Sequence, residues 1–101
     1  MDNNNIGQIK YDIKYFTEMV NQSERKILEL TIDISNLVHK VQDINARIIH
    51  SSSSALGNFE LNNDRRKINT QIAQLRHNLD TITAIRDSAR VRVATLQRSL
   101  I

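Results

Sequence analysis

The sequence predicts an all-α fold, a two-helix antiparallel coiled-coil hairpin that assembles into a four-helix bundle as a dimer or docks on a helical partner. Three observations carry that expectation. Apolar residues recur at alternating steps of three and four from Ile6 to Ile48; the same spacing returns from Leu61 to Leu100; a short serine-rich break lies between them. A period of about 3.5 residues held over several heptads marks a long helix with a narrow apolar seam, made to face another helix. Proline is absent and glycine occurs only at positions 7 and 57, so almost nothing punctuates the chain into shorter elements. At 101 residues and 40% hydrophobic content, one domain spanning residues 1–101 is expected.

The first helix is expected over about residues 5–50, with Asn3, Asn4 or Asn5 accepting from a first-turn amide as the cap. Its seam has thirteen positions, from Ile6, Ile9, Ile13 and Phe16 through to Ile44 and Ile48, and Ser23 is the one polar exception. At ~1.5 Å per residue that seam would run about 65 Å. β-Branched seam residues lower helix propensity slightly, so packing must hold the helix. Residues 51–57 read as an interhelical turn: serine competes for backbone hydrogen bonds, Gly57 can adopt positive φ, and Asn58 is a good cap. The sharper reading of the serine run is a phosphorylation site. A second helix then covers about residues 58–100, with the same seam spacing and only Arg65 and Arg86 charged within it.

Antiparallel pairing can be tested by arithmetic, because residues in one layer have positions of constant sum. A sum of 109 sets Ile48 against Leu61, Ile44 against Arg65, Val20 against Ala89 and Ser23 against Arg86. Every a position then meets a d position. Ser23 and Arg86, each an interruption of its own seam, fall opposite one another, which predicts a polar layer that sets register at some cost in stability. Arg86 can carry its head outward over its aliphatic stem, and Glu24 stands close enough to pair with Arg86 or Arg90.

Apolar residues off the seam point to a second contact surface. Tyr11 and Tyr15 are four apart, as are Leu28 and Ile32, so each pair shares a helix face. These four are the expected protein interface. Met19, Val38, Ile49, Ile85 and Val91 are further off-seam apolar positions.

Charge divides unevenly. Residues 1–50 hold six Lys/Arg against seven Asp/Glu, a sum of −1, and residues 51–101 hold eight against four, a sum of +4. Arg66, Lys67, Arg76, Arg90, Arg92 and Arg98 could engage phosphates, and two antiparallel helices presenting them could lie along an A-form duplex. No aromatic side chain interleaves with them and no nucleic-acid-binding motif is present. A solvated helix face is the simpler account.

Catalysis and cofactors are not expected. His39 with Asp43, and His77 with Asp80, have two-ligand helical spacing only, there is no cysteine, and no glycine-rich phosphate loop occurs. No apolar run reaches the ~18 residues of a membrane span. Residues 1–5 lack the charged start and apolar core of a signal peptide, so a cytoplasmic protein without membrane insertion is expected, with signal-less export open. Length and hairpin architecture are shared with the small secreted helical-hairpin proteins of type VII systems. Their Trp-x-Gly turn has no match in Ser54-Ala55-Leu56-Gly57, and their C-terminal Tyr-x-x-x-Asp/Glu signal is missing from residues 92–101. The expected function is therefore a coiled-coil interaction or structural module, partnered by a second copy or another helical protein. A basic helical binder of nucleic acid, such as a double-stranded RNA-binding dimer, is the alternative, followed by an exported helical hairpin or secretion chaperone.

Overall fold

The computed structural model describes residues 3–50 and 55–101. They form two helices, α1 (Asn3–His50) and α2 (Ala55–Ser99), with no strand among the described residues. The fold is the expected all-α helical hairpin. Its seam is visible in burial: every described seam position from Ile6 to Ile48 is buried or half-buried, and so is every one from Leu61 to Leu96. Leu100 departs from this, 40% exposed just past the end of α2. Its amide closes a tighter turn on the Gln97 carbonyl at 3.1 Å instead of continuing the helix.

The expected turn needs correction at its second half. Serines 51–54 lie outside the described residues, but Ala55, Leu56, Gly57 and Asn58 open α2. Gly57 does not take positive φ, and Asn58 sits inside the helix, not at its cap. Ala55 and Leu56 are among the strongest helix formers, and Gly57 falls in the first turn, where an amide needs no intrahelical acceptor. Asn4 and Asn5 are likewise helical, since α1 starts at Asn3.

Contacts divide the chain into two compact units, each holding a stretch of both helices: Met1–Leu28 with Asp80–Ile101, and Glu29–Leu79. In the first unit Ala89 and Leu96 are buried at 2% and 8% exposure beside Ser23 at 8%. The Ser23 hydroxyl is small enough to stay in the seam. Arg86 is not held there: its Nε and Nη2 both donate to Asp87 Oδ1 at 3.2 and 3.1 Å, with the side chain 24% exposed. The guanidinium therefore leaves the seam along its own helix, as an amphipathic side chain can. Glu24 takes Arg90, not Arg86, as its ion-pair partner.

In the second unit Leu30, Ile44 and Ile72 are buried. Arg65, the other charged seam residue, is clasped by amides. Its Nη1 donates to Asn45 Oδ1 at 3.0 Å on α1, and its Nη2 to Asn62 Oδ1 at 2.7 Å on α2. The pair Arg65 and Asn45 sums to 110, one from the expected register constant. No carboxylate is needed: two planar amide oxygens match two arms of the guanidinium fork.

Candidate protein-interaction surface

A heptad count from Ile6 as position a puts Asp12, Met19 and Lys26 at g on α1, one flank of the seam, and Glu24 at e on the other. On α2 the same count from Arg65 as a puts Ile85 and Arg92 at g and Arg90 at e. Antiparallel helices bring g beside g and e beside e. The ion pair of the first unit follows that rule. Arg90 bonds Glu24 on the e flank, while Arg92 on the g flank lies with its guanidinium carbon 5.9 Å from the Phe16 ring centre.

The g flank of this unit is a groove of about 630 Å³ lined chiefly by Phe16, Met19, Ala84, Ile85, Ala89 and Arg92. Thr81 and Ser88 complete it, and no carboxylate or lysine lines it. Tyr15 stands against its edge, T-shaped on Phe16 with ring centres 5.2 Å apart, and is 53% exposed. Aromatic, methionine and arginine side chains with few carboxylates or lysines are the composition of protein contact surfaces. Arg92 lying over Phe16 also shields an aromatic face that would otherwise meet water.

The expected interface residues divide. Tyr11 and Tyr15 are exposed and share a face by their four-residue spacing, and Tyr15 joins the groove through Phe16. Leu28 is also exposed, but it stands nine residues after Met19, half a turn round the helix, in a shallow hollow with Asn21, Glu24 and Arg25. Ile32 belongs to the second unit and is 51% exposed there. Met19 and Ile85 complete the groove although neither is among those four. Their signal was present in the sequence: both are off-seam apolar residues at g, which the antiparallel register sets on one flank.

The basic residues do not form one stripe. Around α2, Arg66 falls at b, Lys67 at c, Arg76 and Arg90 at e, Arg98 at f and Arg92 at g. In the first unit Arg90 and Arg92 are committed to opposite flanks, one to a carboxylate and one to a ring. His39 and His77 are exposed, and no group of three metal-binding side chains occurs among the described residues. No helix among them is long and apolar enough to cross a membrane. Comparison with protein-family models, curated proteins and solved structures finds no match for this chain.

Proposed function

We propose that this protein is a non-catalytic helical interaction module of the cytoplasm, which binds protein through the g flank of the unit formed by Met1–Leu28 and Asp80–Ile101. The observation that carries this reading is the groove of Phe16, Met19, Ile85 and Arg92, with Tyr15 exposed at its edge. Phe16 reaches the groove from the seam, whereas Met19, Ile85 and Arg92 lie off it and are left open to a further layer. Covering them removes apolar area from water at about 25 cal/mol per Å². A second copy or another helical protein supplies the matching helix.

The net charge of residues 51–101 favours nucleic acid as the alternative, yet the division of Arg90 and Arg92 between two flanks argues against one phosphate-binding row. Sedimentation velocity of the pure protein, alone and with a short RNA duplex at moderate salt, tests the choice. A species that ignores the duplex supports the protein-binding reading. Co-sedimentation that weakens steeply with salt and is lost on Arg90→Ala with Arg92→Ala would reverse it.

A further inference from the structure

The g flank of α1 in the first unit has a symmetry that its apolar content alone does not require. Asp12 lies seven residues before Met19, and Lys26 lies seven residues after it. Seven residues is close to two turns, so all three side chains project from one flank, an acid and a base at equal distances from a central methionine. Asp12 accepts from Gln8 Nε2 at 2.8 Å and forms no ion pair among the described residues.

Resting on the interaction-module reading, we propose that the occupant of this flank is the same flank of a second copy. The two copies run antiparallel, with Met19 at the two-fold axis. A two-fold interface is self-complementary by construction. Positions on α1 of the two copies then sum to 38, so Asp12 of each copy meets Lys26 of its partner, and Met19 meets Met19. The ammonium of Lys26 carries three donors and accommodates a carboxylate beside its other contacts. On α2 the same axis, carried through the 109 register, makes positions sum to 180. Arg92 then lies over Ser88 of the second copy, and Ile85 over its Thr95. No like charges meet at these positions.

Thr95 suits that place, because its hydroxyl is turned back onto the Val91 carbonyl at 2.9 Å. That bond satisfies the hydroxyl within its own helix.

A charge swap tests the two-fold directly, read by sedimentation equilibrium with circular dichroism to follow helicity. Asp12→Lys, or Lys26→Asp, places like charges together at both ends and should weaken dimerisation about tenfold or more, with helicity retained. The double variant carrying both changes should recover the wild-type dissociation constant, since each end regains an opposite pair. The chain has no native cysteine, so Met19→Cys gives a single thiol that should cross-link as a disulfide dimer on mild oxidation. Leu28→Cys, on the opposite side of the helix, should not.

A dimer in which the swap shows no rescue and Met19→Cys fails to cross-link would overturn this axis while leaving self-association standing. A wild-type protein that stays monomeric at millimolar concentration would overturn the self-docking proposal, with a different helical protein left as occupant under the broader reading. Duplex binding, with no protein association, would remove both.

Discussion

The two units of the chain share one seam chemistry and differ on the g flank. In the unit of Met1–Leu28 and Asp80–Ile101, that flank presents Phe16, Met19, Ala84 and Ile85 to solvent. In the unit of Glu29–Leu79, the comparable groove of about 500 Å³ is edged by Asp33, Asn36, Lys40, Gln71 and Gln74 around Leu37 and Leu75. A polar edge keeps water on a helix pair, and an apolar edge invites a further layer. The seam therefore specifies that the helices pair, and the flank specifies where anything else binds.

The largest effect should come from the part the units have in common. Leu30→Ala in the second unit and Leu96→Ala in the first remove side chains 3% and 8% exposed, and each should cost about 2–4 kcal/mol of unfolding free energy in urea. A cost below about 1 kcal/mol at either site would mean that its seam is loosely packed and the units are not equivalent.

The flanks should then separate. Met19→Gln with Ile85→Gln should abolish or strongly weaken association while retaining helicity by circular dichroism. Gln71→Ala with Gln74→Ala in the other unit should change neither, staying within about ±0.5 kcal/mol in stability. If the glutamine pair proves as disruptive as the apolar one, the binding surface extends to a flank that its polarity says should remain wet.

A smaller effect concerns the arginine clasp in the second unit. Arg65→Met removes a charge from the seam and leaves Asn45 and Asn62, both partly exposed amides that water can satisfy. Stability should move by no more than about 1 kcal/mol, in either direction. A loss above about 2 kcal/mol in the same urea titration would show that the clasp supports the unit and does more than tune its register.

Most of the fold was legible because a 3.5 period repeated over many turns leaves few alternatives. Ser23 and Arg86 stood out as the interruptions; the side-chain bonds that join the helices sum to 110 for Arg65–Asn45 and 114 for Arg90–Glu24, and long arginine side chains follow the pairing only coarsely. What could not be read came from local contests of small energies. Gly57 and Asn58 resemble a turn and a cap, yet Ala55 and Leu56 before them favour helix, and the ~1 kcal/mol that glycine costs within a helix does not prevent α2 from starting ahead of it. Arg65 was visible as a charge in the seam, but its amide partners carry no pattern. The site was partly legible. Tyr15 was legible as an off-seam residue four from Tyr11, whereas Met19 and Ile85 needed both helices placed in register before they became neighbours.

The smallest expected effect is the Glu24–Arg90 pair on the e flank of the first unit, and it sharpens the contrast between that flank and the apolar one. The pair joins the two helices at matching e positions, but its side chains are 44% and 52% exposed. Exposed ion pairs contribute about 0.2–1 kcal/mol, because water screens the attraction and two long side chains lose freedom to make it. A double-mutant cycle of Glu24→Gln and Arg90→Gln in urea unfolding should return a coupling within that range, falling as ionic strength rises from low salt to about 0.5 M. Association should be unchanged in both single variants, since neither residue lines the g flank. A coupling well above 1 kcal/mol that resists salt would mean the e flank is desolvated as well. The simplest cause would be a second helical layer covering that side, and the docking surface would then have to be sought on both flanks of the unit.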